Sequence, residues 1–201
     1  ILEPSKGHLM SCCCNNCSGM PEEDTVRWAI PTTRSTTYGT IQQMANYLNE
    51  GYSGGTGQRW NLGSTGTAAK NGTLSVNFSG ATDWQGTGVS DSNGITSGRQ
   101  DVARAAFDVF EQLLGIEFTY TTSNSADIFI TDNDIGAYSG SWTFSGDPNI
   151  IDINHINVAA NWNGSNSTIG GDYTFQTFVH EIGHALGLGH QGNYNGTGDF
   201  N

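Results

Sequence analysis

The sequence predicts an α+β fold, because two helical patterns flank a group of short stretches that alternate like β-strands. The longest helical pattern runs from Ser97 to Leu114 and closes at Gly115. Alternating stretches follow it, and a second helical pattern begins after Asp172, a residue type that caps the amino ends of helices. The predicted order is therefore a long helix, then strands, then a second helix.

The first part of the chain is predicted to contain two strands and a shorter helix. Residues 25–30 alternate as a short strand. Residues 38–49 carry apolar residues at helical spacing, namely Ile41, Met44, Ala45 and Leu48. The glycine-rich stretch 51–72 contains no Gly-Lys-Ser or Gly-Lys-Thr, which excludes a phosphate-binding loop. A second strand is predicted from the alternating apolar residues Leu74, Val76 and Phe78.

The long helix is predicted to bury a single apolar stripe against the sheet. Its members are Val102, Ala105, Ala106, Val109, Phe110, Leu113 and Leu114. Further strands are predicted at residues 116–120, 127–131 and 150–158. Loops are predicted at residues 80–93 and 161–171.

Composition excludes several classes of function. The chain has 201 residues, enough for one domain with a real core, and a formal charge of -12. That charge argues against a nucleic-acid-binding surface or a basic membrane patch. No stretch approaches the length of a transmembrane helix. The 28 glycines and few charged residues suit a turn-rich, secreted protein.

The clearest chemistry lies in residues 180–190, which read HEIGHALGLGH. His180 and His184 are four residues apart, so on a helix they share one face and can hold one metal ion together. Gly187 can adopt the left-handed conformation that ends a helix, which brings His190 back as a third ligand. Three neutral imidazoles would leave the fourth position of a tetrahedral zinc ion open to water. Glu181 lies one step round the helix and is predicted to be the catalytic base.

This stretch fits H-E-x-x-H-x-x-G-x-x-H, the pattern of the metzincins. Its flanks, FQTFV at residues 175–179 and QGNYN at 191–195, resemble those of the serralysins, which are secreted bacterial metalloproteases. The close resemblance covers residues 172–196, and a looser one extends back to about residue 25. It implies a zincin-like amino-terminal subdomain, with a twisted, mostly parallel sheet, an antiparallel edge strand and two long helices behind it.

The resemblance further implies that residues 136–144 form the edge strand along which a peptide substrate lies. Ala137, Tyr138 and Ser139 are then the expected substrate-binding residues. Unpaired backbone groups of an edge strand bind extended peptides, and neighbouring pockets add preference. An ordinary solvated edge strand would account for the same residues equally well.

Two other polar features of the sequence are not assigned a site. His155 lies in a predicted strand, where a lone histidine is more often structural than a ligand. Asp132 and Asp134 have a spacing that is too common to support a calcium loop.

The four cysteines lie close together near the amino terminus, at Cys12, Cys13, Cys14 and Cys17. This crowding excludes widely spaced disulfides within the chain. Three interpretations stay open: a tail without a role, a separate metal site of the Cys-x-x-Cys type, or a thiolate that occupies the open zinc position and keeps the enzyme latent. Pro-segments of other metzincins use such a thiolate, but those of serralysins do not show this cluster.

The predicted organisation is a leader or pro-segment at residues 1–24 and a catalytic domain at 25–201 that is incomplete at its carboxyl end. Metzincins place a methionine-containing turn beneath the zinc, and here the methionines, Met10, Met20 and Met44, all lie upstream. The expected partner is therefore the missing carboxy-terminal portion of the same protease. The resemblance places calcium-binding repeats there, together with a signal for bacterial type I export.

Two functions follow from these observations. The first is a secreted zinc endopeptidase that acts on protein or peptide substrates. The second is a non-catalytic zinc-binding or adhesive module on the same scaffold. The intact Glu181 favours the enzyme, because a binding module has no need for a general base.

Overall fold

A five-stranded sheet with two long helices on one face forms the body of the molecule. The computed structural model describes residues 40–46, 48–49, 57–80, 90–162 and 173–190. Its elements are α1 (Ile41–Asn46), β1 (Thr73–Asn77), α2 (Ser97–Leu114), β2 (Glu117–Thr121), β3 (Ile128–Thr131), β4 (Ala137–Phe144), β5 (Asp147–Val158) and α3 (Tyr173–Ala185).

The strands lie in the order β2-β1-β3-β5-β4, and all adjacent pairs are parallel except β4 with β5. β4 runs antiparallel to β5 at one edge, with Ala137 opposite Val158 and Tyr138 opposite Asn157. Its other side has no partner strand among the described residues. The predicted α+β fold, with a mostly parallel sheet and an antiparallel edge strand, is therefore confirmed.

Both long helices pack on the same face of the sheet. Phe107 of α2 and Phe178 and Ile182 of α3 are fully buried in one cluster. The strands contribute alternate apolar residues to it, among them Leu74, Val76, Ile128, Ile130, Ile156 and Val158. Each such side chain stabilises the fold by about 1.5–3 kcal/mol when it is fully buried. The opposite face carries only a small described cluster of Ala126, Phe129 and Ile153.

The bounds of α2 agree with the sequence, but its predicted stripe is partly wrong. Gly115 adopts a left-handed conformation with φ of 69° and donates its N–H to the Glu111 carbonyl, which ends the helix as expected. The buried side is rotated and comprises Arg99, Val102, Ala103, Ala106, Phe107 and Phe110. Leu113 and Leu114 are 73% and 57% exposed, because no described residue covers the last turn.

Several predictions fall wholly or partly outside the described residues. They include the strand at 25–30, the leader at 1–24 with its cysteines, the cap at Asp172 and most of the loop at 161–171. The helix predicted from Tyr38 is confirmed over Ile41–Asn46. Among the described helices, none combines the length and the apolar character that a membrane span requires.

Candidate metal centre

The helix α3 ends in a Schellman motif, which reverses the chain so that the residues after the helix lie beside its last turn. The Leu188 N–H donates to the Gly183 carbonyl and the Gly187 N–H to the His184 carbonyl, both at 2.9 Å. Gly187 has φ of 97°, which favours glycine over every other residue. The motif brings residues 188–190 alongside the last turn of α3 and therefore places His190 near His184.

Three histidine side chains converge at this turn, as the sequence predicts. His184 Nε2 lies 3.0 Å from Nε2 of both His180 and His190, and those two nitrogens are 3.3 Å apart. His184 Nδ1 lies 2.7 Å from the Leu188 carbonyl oxygen, which can only accept, so Nδ1 carries the proton. His184 Nε2 is consequently the lone-pair nitrogen of the neutral ring and faces the other two rings.

A metal ion fits this arrangement better than hydrogen bonds between the rings. One lone pair on His184 Nε2 accepts one hydrogen bond, yet two ring nitrogens lie at 3.0 Å from it. Tetrahedral zinc at about 2.0–2.1 Å from each nitrogen would separate ligand nitrogens by about 3.4 Å, slightly more than the separations seen. These three residues form a group that could hold a metal ion within the described part of the chain.

The environment keeps His180 and His184 in the neutral form that binds metal. Burial lowers the pKa of His184 to about 4. Burial and the neighbouring His190 ring lower the pKa of His180. Both rings are therefore unprotonated at neutral pH, and zinc binding there would require no proton release from them.

Glu181 points away from solvent beside the histidines. Its side chain is 1% exposed, and burial raises its pKa to about 8. Its Oε2 atom has no hydrogen-bond partner among the described residues. A buried carboxylate oxygen without a hydrogen-bond partner is costly, and a nearby cation would favour the charged form of the group. The same acidic group can take up and release a proton next to the three histidines.

A cavity of about 230 Å³ opens between α3 and the start of the edge strand. It is lined by Ala137, Trp162, Tyr173, Gln176, Thr177, His180 and Glu181. The Trp162 indole N–H donates to Thr177 Oγ1 at 2.9 Å, and the Trp162 ring stacks on Tyr173 with centroids 6.0 Å apart. A group bound in this cavity would lie next to His180 and Glu181.

The three predicted substrate-binding residues have three different environments in the structure. Ala137 lines the cavity. The Ser139 side chain is buried and exchanges hydrogen bonds with Asn154 inside the sheet. The Tyr138 hydroxyl donates to Asp134 Oδ2 at 2.8 Å, and its ring packs edge-on against His155. Only Ala137 of this set therefore contributes a side chain to the cavity.

Sequence reasoning missed the aromatic and polar residues that line the cavity. Tyr173, Gln176 and Thr177 lie seven, four and three positions before His180 on α3, so they share its face. That spacing was a usable signal. Trp162 carries no such signal, because it lies in the connection before the helix. The cysteines at 12, 13, 14 and 17 lie outside the described residues, and so does Tyr194.

Comparisons with known proteins identify a family for the chain. The family model described as matrixin matches residues 89–196. Among solved structures, the crystal structure of myroilysin is similar with a TM-score of 0.38 and 22% sequence identity; the likeness covers 66% of this chain and 50% of that one. The chain thus spans about half the length of myroilysin's chain. No curated protein matches it. Because the family model covers more than half of its residues, the chain belongs to the matrixin family.

Proposed function

We propose that this chain carries the zinc site of an endopeptidase, with His180, His184 and His190 as ligands and Glu181 as the catalytic base. One observation carries the proposal: three imidazole Nε2 atoms lie within 3.3 Å of one another beside a buried glutamate. A zinc ion bound there would act as a Lewis acid on the scissile carbonyl and on a water molecule.

The residues of the chain supply the other parts of the reaction. Glu181 accepts a proton from the attacking water and returns it to the leaving amine. Its burial excludes bulk solvent from this transfer. The orientation of the His184 ring comes from its hydrogen bond to the Leu188 carbonyl, a kind of partner that commonly fixes the rings of metal-binding histidines.

The substrate would lie as an extended peptide along β4. On the side of this strand where the described residues place no partner strand, backbone donors and acceptors could bind any extended chain, which gives binding without strict sequence preference. Ala137 places the start of the strand at the cavity that also reaches Glu181. A substrate side chain in this cavity would add preference, and the aromatic pair Trp162–Tyr173 favours an apolar one.

We further propose that the protein is serralysin-like and secreted. The support is in the sequence: FQTFV before the motif and QGNYN after it resemble serralysins. Scarce charged residues and frequent glycine suit an extracellular protein. The proposal includes two further hypotheses. One is latency through a cysteine of the leader, and the other is calcium binding by carboxy-terminal repeats. Metal analysis of the secreted full-length gene product would test the calcium part.

The enzyme proposal is tested by zinc content and casein cleavage with the full-length gene product, the Glu181→Ala variant and an Asp108→Ala control. Asp108 is an exposed acidic residue on α2 and far from the histidines in sequence. We expect stoichiometric zinc in all three proteins and a loss of cleavage of at least about a hundredfold only in Glu181→Ala. Zinc without cleavage in the parent, even after removal of residues 1–24, would instead support a non-catalytic zinc-binding module.

A further inference from the structure

The turn that carries His190 is enclosed by a segment from the amino-terminal part of the chain. Residues 57–60, named here the amino-terminal arm, run between this turn and the sheet. The Trp60 indole N–H donates to the Ala185 carbonyl at 2.8 Å, across 125 positions of sequence. The arm lies outside residues 89–196, so the family match does not account for it.

Trp60 provides a hydrogen bond that the helix end lacks. The Schellman motif pairs the carbonyls of Gly183 and His184 with backbone N–H groups of the turn. The next carbonyl, that of Ala185, has no intrahelical donor, because the chain leaves the helix there. The Trp60 side chain is 6% exposed, so its bond to Ala185 is shielded from water. A buried carbonyl left without a donor at this point would be costly.

The arm is fixed to the sheet on its other side. The Arg59 N–H donates to the Asn149 carbonyl at 2.9 Å, and the Ile151 N–H donates to the Arg59 carbonyl at 2.8 Å. Arg59 thereby forms a parallel bridge with Ile150 at the start of β5. Trp60 also belongs to the main core cluster. The arm is therefore hydrogen-bonded to the sheet on one side and to the end of α3 on the other, and it connects the two.

Two backbone contacts complete the enclosure of the turn. The Gly189 N–H donates to the Leu48 carbonyl at 2.7 Å, one residue before His190. Gly187 lies so close to the Gln58 carbonyl that a Cβ atom there would overlap the oxygen. The turn is thus held by its own helix, by Leu48 and by the arm.

We propose that Trp60 is a positioning residue of the metal centre, which holds the turn of residues 186–190 in the geometry that zinc requires. The inference rests on the proposed function, since it presumes that zinc binds at the three histidines. The Trp60 indole N–H binds the Ala185 carbonyl rather than one of the three histidines. It acts through Ala185 and the turn, which fix the distance from His190 to the two histidines on α3.

The thermodynamic consequence separates this role from a purely structural one. Zinc-bound protein must keep the turn in the binding geometry and bears the full cost of a lost hydrogen bond. Zinc-free protein can relax the turn and bears only part of that cost. Loss of the indole N–H should therefore weaken zinc binding by the part of this cost that the zinc-free protein avoids, whereas a purely structural residue would lower the stability of both forms equally and leave zinc affinity unchanged.

The test compares zinc dissociation constants of the full chain, measured by competition with a chromophoric chelator, for the parent, Trp60→Phe and Asn77→Ala. Asn77 of β1 is a matched control, because its buried side-chain amide also donates to backbone carbonyls, those of Gly80 and Ser123 at 3.2 and 3.0 Å, and it belongs neither to the cavity nor to the group of histidines. We expect about a tenfold rise in the dissociation constant for Trp60→Phe, as when a residue that orients a metal ligand is lost, and none for Asn77→Ala. The melting temperature of each zinc-free protein is measured alongside.

A second variant removes the N–H without removing ring volume, in case Trp60→Phe does not fold. Replacement of Trp60 by 3-benzothienylalanine keeps the bicyclic shape and puts sulfur in place of the N–H. An unchanged zinc dissociation constant in this variant would overturn the positioning role, as would equal weakening in Asn77→Ala. Absence of zinc binding in the parent would refute the proposed function instead, so the two failures are distinguishable.

Discussion

At the residue scale, a buried network on β3 and β5 fixes the role of His155. Asn157 donates both of its amide hydrogens, to the Asp134 and Gly136 carbonyls, so its Oδ1 accepts. The Thr131 hydroxyl donates to that oxygen at 3.1 Å and has no second hydrogen. His155 Nε2 therefore donates to Thr131 Oγ1 at 2.6 Å. The histidine is satisfied within the sheet, in line with its assignment as structural.

This network predicts a pH-dependent stability. Burial lowers the pKa of His155 to about 4, although the carboxylates of Asp134 and Asp91 oppose the shift. Between the folded value and an unfolded value near 6.5, only the unfolded chain takes up a proton, so stability falls as the pH decreases. We expect the free energy of unfolding to drop by about 2 kcal/mol from pH 7 to pH 5 through this residue.

The contribution of His155 is isolated by comparison with His155→Gln, which keeps an N–H donor but does not titrate. Urea unfolding of both proteins at pH 7 and pH 5 gives two pH dependences. Protonation of the metal-site histidines contributes equally to both and cancels in their difference. Identical pH dependences in parent and variant would refute the assignment.

At the scale of elements, the ends of helices could be predicted from the sequence more reliably than the faces that they bury. The long helix α2 could be bounded from sequence because its apolar pattern and Gly115 are local signals. Its buried face could not be predicted, since Arg99 lies on that face and donates to the Val158 and Ala159 carbonyls. In a sequence pattern, a charged residue is normally assigned to the surface. Only the folded structure shows that β5 supplies buried hydrogen-bond acceptors for this guanidinium.

The end of α3 carries a prediction about Gly187. Gly187→Ala would be strained by a positive φ of 97° and by overlap with the Gln58 carbonyl. Gly115→Ala is the matched control, because Gly115 also ends a helix with positive φ, but beyond its chain neighbours no atom of the described residues lies within 4 Å of the place where the alanine methyl group would lie. We expect the control to lose about 1 kcal/mol of stability and Gly187→Ala to lose more.

Zinc binding should separate these two glycine variants further. Gly187→Ala displaces the turn that leads to His190, so its zinc affinity should fall, whereas Gly115→Ala should bind zinc like the parent. Chemical unfolding of the zinc-free proteins and chelator competition measure the two effects separately. Equal losses in both variants would mean that the contact with Gln58 does not constrain the turn.

At the scale of the whole molecule, the candidate site combines local and distant parts that differ in how far sequence predicts them. His180, Glu181 and His184 share one helix, so their proximity follows from spacing alone. The position of Trp60 against Ala185 depends on packing between segments 125 positions apart, and no local pattern encodes such a contact. The arm and the cavity wall at Trp162 therefore became visible only in the folded chain.

Because distant segments of the chain build the site together, we expect zinc and the fold to stabilise each other. Unfolding disperses the three histidines, which are brought together by α3, the turn and the amino-terminal arm, so zinc should bind the folded state more tightly. Free zinc at about a thousand times its dissociation constant would then add about 4 kcal/mol to the free energy of unfolding.

Thermal unfolding of the parent and of His190→Ala, with zinc and with a chelator, measures this stabilisation by zinc directly. We expect a large zinc-dependent rise in melting temperature in the parent and little in His190→Ala, because two histidines on one helix turn can bind zinc without the rest of the fold. An equal rise in both proteins would show that zinc stabilises the chain at a place other than these three histidines.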